Sequence, residues 1–112
     1  MYGNGENIRD WIYVKDHVNA LISVTLDGVA GKQDLIGGNN EVSNVELLHT
    51  IVAVYETITN QKVDWDWFEY VDDRPGHDFR YSIDNRDFRM EFPNFKLTSF
   101  ETAINETIRS YL

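Results

Sequence analysis

The stretch "VSNVELLHTIVAVYETIT", residues 42–59, decides much of the fold because it combines a helix start signal with a long apolar stripe. Ser43, followed three residues later by Glu46, forms a capping box that satisfies two backbone N–H groups at a helix start. Apolar side chains then recur with the helical period to about Thr59. The stripe consists of Val45, Leu48, Ile51, Val52, Tyr55 and Ile58. We therefore expect a long helix here that packs on one side.

A second helix is predicted upstream of this stretch. Asp16 has the character of an N-cap, and "HVNALISVTLDG" follows it and ends at Gly28. The apolar residues of this segment lie on more than one side, which predicts burial on two faces. They are Val18, Leu21, Ile22 and Val24.

Two further helices are predicted near the end of the sequence. Asp84 can cap a short helix over 85–91, which Pro93 would end. Thr98 with Glu101 forms a second capping box in front of an amphipathic helix. The apolar face of that helix consists of Phe100, Ala103, Ile104, Thr107, Ile108 and Tyr111.

Short strands are predicted in two other places. "KQDLIGG", residues 32–38, indicates a strand that enters a glycine turn, and the aromatic alternation of "VDWDWFEYV" predicts a strand within 63–71. The inventory is about four helices and three short strands, a small mixed α/β fold in one domain over residues 1–112. No run of central strands would cover the first helix, so we expect a part of a larger protein.

Composition excludes several classes of protein. Nineteen acidic against ten basic residues give a formal net charge of −9, which argues against nucleic-acid binding. There is no cysteine, no signal peptide at the N-terminus and no apolar run near the roughly 20 residues of a membrane span. The sequence therefore predicts a cytoplasmic protein without a membrane or nucleic-acid partner.

Common catalytic and cofactor motifs are absent from the sequence. The three histidines, His17, His49 and His77, have no i, i+4 pairing with one another, so no metal site is predicted. There is no Gly-x-Ser-x-Gly turn, "GVAGKQ" lacks the spacing of a P-loop, and "YGNGEN" breaks the dinucleotide fingerprint.

Arg9 is the first candidate binding residue, because its sequence neighbours are apolar and aromatic. In "NIRDWIYVKDH" it lies between Ile8 and Trp11, where a guanidinium can be half-buried and offer a rigid fork of donors to a diphosphate. The alternative is a structural ion pair with Asp10 or Asp16, and this segment alone slightly favours that alternative.

A second cationic segment is "DRPGH", residues 73–77. Its proline fixes one backbone dihedral and its glycine frees the next, so the turn sets Arg74 and His77 in a defined relation. The carboxylates of Asp73 and Asp78 could orient these cations or neutralise them. We predict that Arg9 and Arg74 converge on one pyrophosphate, and we call this pair the arginine clamp.

Asn44 adds a possible third contact to the site. It lies just inside the start of the capped helix, where backbone N–H groups favour anions. The alternative is an ordinary residue of the first helical turn.

Three segments resemble a known family. They are "YGNGENIRDWIYVKDHVNAL", "IGGNNEVSNVEL" and "DDRPGHDFRYSIDNRDF", and they are similar to the C-terminal, substrate-binding part of the dTDP-glucose 4,6-dehydratases, which are extended short-chain dehydrogenase/reductases. The resemblance covers nearly the whole chain in order. Sister epimerases and UDP-glucuronate decarboxylases share only a looser Arg-Asp-aromatic-x-Tyr-Val-x-Asp pattern.

The resemblance implies a function. Such lyases pair an NAD-binding Rossmann domain with a smaller C-terminal domain for the nucleotide-sugar, and they convert dTDP-glucose to dTDP-4-keto-6-deoxyglucose with loss of water for deoxysugar and O-antigen lipopolysaccharide synthesis. Tyr2 would lie near the nucleoside, Arg9 would bind the diphosphate, and Arg74 would anchor the closing turn. The full set of substrate-binding residues implied is Tyr2, Arg9, Asn44, Asp73, Arg74, Pro75, Gly76 and His77.

The sequence also departs from the complete enzyme. No tyrosine is followed four residues later by lysine, and the family's glycine-rich NAD loop and Asp-Glu acid/base pair are missing. We therefore expect the Rossmann half to be absent, no NAD to bind this chain, and no catalysis by the chain alone. The alternatives are a stand-alone binding or regulatory module, or a fragment of a sister epimerase or decarboxylase that prefers UDP.

Association is the last expectation. In the resembled fold the first helix and the "DLIGG" segment pack on the Rossmann half, and without it several apolar side chains would face water at about 1.5–3 kcal/mol each. This predicts self-association or pairing with a Rossmann half.

Overall fold

A computed structural model describes all residues from 1 to 112 and contains four α-helices and one two-stranded antiparallel sheet. The elements in chain order are β1 (Ile8–Asp10), α1 (Val14–Asp27), β2 (Glu41–Ser43), α2 (Asn44–Thr59), α3 (Arg86–Glu91) and α4 (Phe100–Arg109), with a 3₁₀ turn at Trp65–Trp67 between α2 and α3. The predicted small mixed α/β fold class is confirmed.

Helix α2 forms as the sequence predicts. The Ser43 hydroxyl accepts a hydrogen bond from the Glu46 N–H, and the Glu46 carboxylate accepts one from the Ser43 N–H at 2.9 Å, which completes the capping box. The helix ends at Thr59, where Asn60 adopts the left-handed conformation that commonly terminates helices. It packs against α4 with Val52 buried.

The other predicted caps are wrong in position. Helix α1 begins at Val14, and Asp16 lies buried in its first turn. The Asp16 carboxylate accepts hydrogen bonds from the N–H and the hydroxyl of Thr98, at 2.7 and 2.8 Å. Thr98 is thereby used in a contact with α1, and Ser99 caps α4 in its place. A buried carboxylate needs donors, and Thr98 provides two.

The predicted cap of α3 is displaced by one residue. Asn85 occupies the N-cap position without a side-chain hydrogen bond, while the carboxylate of Asp84 accepts from the N–H of Arg86. The helix ends at Glu91, before Pro93 as expected.

Both predicted strands are wrong as well. Residues 32–38 form no strand, and the Asp10 carboxylate accepts from the N–H groups of Gly38 and Asn40 instead. Within 63–71 the chain forms the 3₁₀ turn, and only Val71 makes a bridge, to Tyr2. The observed strands have three residues each, which is too short for an alternating pattern to mark them.

Strand β1 is paired on both edges. On one edge it runs antiparallel to β2, with Arg9 opposite Val42. On the other edge the N–H of Ile8 donates to Phe79 and its carbonyl accepts from Tyr81. The bridge from Tyr2 to Val71 holds the start of the "DDRPGH" loop in the same way, so the loop lies along residues 1–10.

The molecule is flat. Its extents are 50 × 36 × 16 Å and its radius of gyration is 16.7 Å, against about 13 Å for a compact domain of this length. Its accessible surface of 8111 Å² exceeds the roughly 6,400 Å² of a compact monomer of this mass. A thickness of 16 Å leaves little room for a two-layer core.

The predicted burial of α1 on two faces is wrong for this chain. Only Asp16 and Ala20 are buried, and the apolar stripe on the opposite face is exposed. The exposed residues of this α1 face are Val14, Val18, Leu21, Ile22, Leu26 and, just beyond the helix, Val29. No helix of the chain has both the length and the apolar character to cross a membrane.

The capping box generates a prediction about stability. Ser43→Ala should lower the free energy of unfolding by about 1 kcal/mol, because the Glu46 N–H loses its acceptor and the Glu46 carboxylate loses the Ser43 hydroxyl. Urea denaturation at pH 7 followed by circular dichroism measures the loss, and Ser110→Ala, at the C-terminal end of α4, is the control. Equal stability of the Ser43→Ala and Ser110→Ala variants would contradict the role of the box.

The same box should appear in the pH dependence. The Ser43 hydroxyl and N–H hold the pKa of Glu46 below its ordinary value. This contribution is present above the ordinary glutamate range and is lost as the pH falls through the lowered pKa. Ser43→Ala should therefore flatten the acid limb of the stability curve.

Candidate functional site

The "DRPGH" turn has the predicted geometry. The N–H of His77 donates to the carbonyl of Arg74 at 3.1 Å, and Gly76 has φ of +71°. Proline followed by a residue of positive φ is the pattern of a type II turn. A Cβ on Gly76 would meet nothing within 4 Å. Glycine is therefore favoured here by the positive φ and not by a lack of space for a side chain.

Arg9 makes neither of the two ion pairs that its sequence context left open. Asp10 accepts from backbone N–H groups and Asp16 binds Thr98. The guanidinium instead donates to the carbonyls of Ile8 at 2.6 Å and Asp78 at 2.9 Å. Carbonyl oxygens position a guanidinium without cancelling its charge, so Arg9 keeps a full positive charge.

The two cations of the arginine clamp meet at one atom. An Nη2 of Arg9 lies 2.5 Å from Nε2 of His77, and the Nη2 of Arg74 lies 2.8 Å from the same nitrogen. Two guanidinium groups distant in sequence therefore meet on an imidazole, and their convergence on a pyrophosphate stays a prediction. The His77 side chain is nearly buried and Arg74 is exposed, so the clamp is open to solvent on the Arg74 side.

Asp73 orients the histidine and does not neutralise the arginines. Its Oδ1 lies 2.7 Å from Nδ1 of His77 and accepts from the N–H of Arg74 at 2.8 Å. These bonds, His77 first, hold the pKa of Asp73 below its ordinary value. The nearby Asp78 carboxylate raises the pKa of the Tyr81 hydroxyl.

Each arginine of the clamp also lies over an aromatic ring. The Arg74 guanidinium is 4.9 Å from the centre of the Tyr2 ring, and the Arg9 guanidinium is 4.4 Å from that of Tyr81. The face of an aromatic ring attracts a cation electrostatically, so such contacts hold the guanidinium in place and restrict its orientation. Sequence reasoning missed Tyr81, because it reaches Arg9 only through the pairing of Ile8 with residues 79–81.

The Lys and Arg side chains of the chain divide into those with a carboxylate partner and those without one. Arg80, three residues beyond the "DRPGH" segment, forms an ion pair with Glu41 at 2.6 Å. The other cations with a carboxylate partner are Lys15, Lys32, Lys62 and Arg86. Neither Arg9 nor Arg74 has one. In a chain of net charge −9, two adjacent guanidinium groups without a counter-ion are suited to an anion.

Asn44 lies apart from this arrangement. Its own N–H donates to the Asn7 carbonyl, and the next two N–H groups of α2 donate to Gly5 and to the Ser43 hydroxyl. The backbone donors that the sequence argument offered to an anion are thus occupied by the protein. A substrate contact of the Asn44 side chain remains a prediction.

An apolar cleft of about 380 Å³ lies elsewhere, between the β1–α1 junction, α2 and α4. Its walls include Trp11, Ile51 and Phe100. Asp16 lines it too but is already bonded to Thr98. The cleft offers an anion no free donor of the kind that the arginine clamp presents.

Known structures share this architecture. The dTDP-glucose 4,6-dehydratase of Bacillus anthracis, in complex with NAD, superposes with a TM-score of 0.83 at 39% identity, over 99% of this chain and 33% of that one. The enzyme of Streptomyces venezuelae, with NAD and TYD bound, gives 0.83 at 33% identity over 98% of this chain and 32% of that one. A UDP-glucuronic acid 4-epimerase of Bacillus cereus, at 15% identity and a TM-score of 0.64, shares the fold.

This architecture places the chain in the short-chain dehydrogenase/reductase class. Within that class it belongs to the family described as GDP-mannose 4,6 dehydratase, whose sequence model matches residues 1–107. Relatives include dTDP-glucose 4,6-dehydratases of Escherichia coli, 44% identical, and Neisseria meningitidis, 39% identical, each matched over the whole of this chain. The chain spans 32% and 33% of their lengths, about a third. The resemblance to dTDP-glucose 4,6-dehydratases is confirmed.

The bond between Asp73 and His77 generates a prediction. In His77→Ala the pKa of Asp73 should rise toward its ordinary value, because the ring N–H that favours the carboxylate is gone. The stabilising contribution is present above the ordinary aspartate range and is lost as the pH falls through the lowered pKa.

A ¹³C carboxyl NMR titration measures this pKa, with His17→Ala, on the exposed side of α1, as the control. An Asp73 titration that is the same in His77→Ala and in the unmodified chain would show that the bond does not exist in solution.

Proposed function

We propose that this chain is the nucleotide-sugar-binding part of a dTDP-glucose 4,6-dehydratase and that the arginine clamp binds the diphosphate of dTDP-glucose. The observation that carries the proposal is the meeting of Arg9 and Arg74, two guanidinium groups without carboxylate partners, at one nitrogen of His77. Guanidinium forks bind phosphate oxygens through paired, charge-assisted hydrogen bonds. A relative from Streptomyces venezuelae has been solved with NAD and TYD bound, which supports a nucleotide ligand.

The remaining predicted substrate residues support this arrangement from nearby. The exposed ring of Tyr2 lies under Arg74, where it can contact a nucleoside attached to the diphosphate. Pro75 and Gly76 set the turn that carries Arg74. The side chain of Asn44 is assigned to the nucleotide by resemblance alone.

NAD does not fit the residues of this chain. A dinucleotide pyrophosphate needs a glycine-rich turn that leads into a helix N-terminus. Here the turn around Gly3 and Gly5 leads into strand β1, and Gly31 lies on an exposed loop after α1. We therefore assign to the chain the binding and orientation of the nucleotide-sugar and derive no hydride transfer within it.

Calorimetric titration of the whole chain with dTDP at low salt tests the proposal. We expect binding, and we expect Arg9→Ala and Arg74→Ala each to weaken it about tenfold or more, since a hydrogen bond to a charged group contributes about 1.5–3 kcal/mol. Arg109→Ala, which removes the same charge from α4, should leave binding unchanged.

Two results would contradict the proposal. The first is the absence of binding at millimolar dTDP by a folded chain. The second is equal weakening by all three arginine substitutions, which would indicate a general effect of charge. Titration with UDP in parallel distinguishes the dehydratase proposal from the alternative of a sister epimerase or decarboxylase. That alternative requires tighter binding of UDP than of dTDP.

We also propose that the exposed α1 face is covered by a second copy of this chain when the chain is alone in solution. The surface of 8111 Å² exceeds that of a compact monomer by about 1,700 Å², and a standard interface takes about 800 Å² from each partner. Leu26, 74% exposed, lies in the apolar stripe near the C-terminal end of α1.

Leu26→Glu should therefore shift the chain from dimer to monomer, because a carboxylate in an apolar interface must be desolvated. Sedimentation velocity measures the shift. Leu112→Glu, at a leucine that is 65% exposed outside α1, is the matched control and should remain dimeric. A compact monomer of the unmodified chain at high micromolar concentration would exclude this association.

A further inference from the structure

His77 holds the two cations of the arginine clamp through a single lone pair. A guanidinium has only donors, so Nε2 must be the acceptor for both Arg9 and Arg74. The ring is therefore neutral, with its proton on Nδ1. That proton is donated to Asp73 at 2.7 Å, which fixes the tautomer.

The charged groups around the imidazole come from two segments. From β1 comes Arg9, and from the loop of His77 itself come Asp73, Arg74 and Asp78. Asp78 presents its backbone carbonyl to Arg9, and its carboxylate lies near the hydroxyl of Tyr81. Asp73 is thus the carboxylate that bonds the ring. The His77 side chain is only 9% exposed, so water cannot readily replace these partners.

When an anion binds at the clamp, Nε2 of His77 is needed as a hydrogen-bond donor and no longer as an acceptor. Phosphate ester oxygens at neutral pH are acceptors, so both arginines would turn their donors to the ligand and leave Nε2 without a donor. A nearly buried lone pair would then face an anion, which is unfavourable. A proton on Nε2 removes this conflict, and the carboxylate of Asp73 on the other side of the ring stabilises the resulting imidazolium.

We infer that His77 takes up a proton from solution when a diphosphate binds to the arginine clamp, and that Nε2 thereby changes from the acceptor that holds two guanidinium groups to a third donor to the ligand. The inference rests on the proposed function and deepens it. Asp73 acts in it as a positioning residue, because it acts through its bond to Nδ1 of His77.

The sign of the pH effect follows from linkage. The free ring accepts from both arginines at Nε2, and a bound anion favours a donor at that position, so the inference couples ligand binding to the uptake of one proton. Binding of the diphosphate must then strengthen as the pH falls, by at most about tenfold per pH unit for one proton.

The first measurement needs no ligand. Long-range ¹H–¹⁵N NMR spectra of the whole chain distinguish Nδ1–H from Nε2–H imidazole at neutral pH. We expect the Nδ1–H tautomer for His77 and its loss in Asp73→Asn. An Nε2–H ring in the unmodified chain would overturn the inference.

The second measurement is calorimetric titration with dTDP-glucose at pH 7 in HEPES and in Tris, whose ionisation enthalpies differ and neither of which is a phosphate. This ligand is esterified on both sides of the diphosphate, whereas a terminal phosphate titrates near pH 6 and would add its own proton. We expect the observed enthalpy to change between buffers as net proton uptake of up to one proton requires. His77→Gln should abolish the difference and His17→Gln should retain it.

The outcomes separate this inference from the proposed function. Binding with the same enthalpy in both buffers overturns proton uptake and leaves the function of the clamp intact. The absence of binding removes the proposed function, and with it the uptake. Uptake that persists in His77→Gln assigns the proton to another group and overturns the role of His77.

Discussion

Two cations can stand beside each other in this molecule because a neutral ring nitrogen lies between them. Unit charges about 4 Å apart near a protein surface repel by on the order of 4 kcal/mol, and a shared acceptor offsets part of that cost. His77 supplies the acceptor only while its own proton is on the opposite nitrogen, which Asp73 secures. The type II turn and the pairing of residues 1–10 with 71–81 bring these groups together.

The parts of this structure that the sequence predicted are those with local causes. The capping box of α2, its end at Thr59 and the Pro-Gly turn each depend on residues within a few positions of one another. Arg9 and Arg74 were matched across the chain because each has an unusual sequence context, Arg9 beside apolar and aromatic residues and Arg74 in a Pro-Gly turn. The resemblance to the dehydratases supported the same pairing.

The errors have a common physical origin in distant contacts. Asp16 has the sequence context of an N-cap, but Thr98, 82 positions away, supplies its donors. The segment 32–38 has the composition of a strand and lacks a neighbouring strand to complete its backbone hydrogen bonds. Tyr81 and the paired state of Arg80 depend on the register of β1 with residues 79–81, which local patterns do not encode.

The pairing of β1 on both edges affects how the side chains around this strand can change during evolution. Main-chain hydrogen bonds on both edges hold this strand, and main-chain bonds require no particular side chain. Side chains that surround the two arginines can therefore be exchanged without displacing the segment that carries Arg9. Divergent descendants can therefore replace the side chains around this strand while its backbone stays in place.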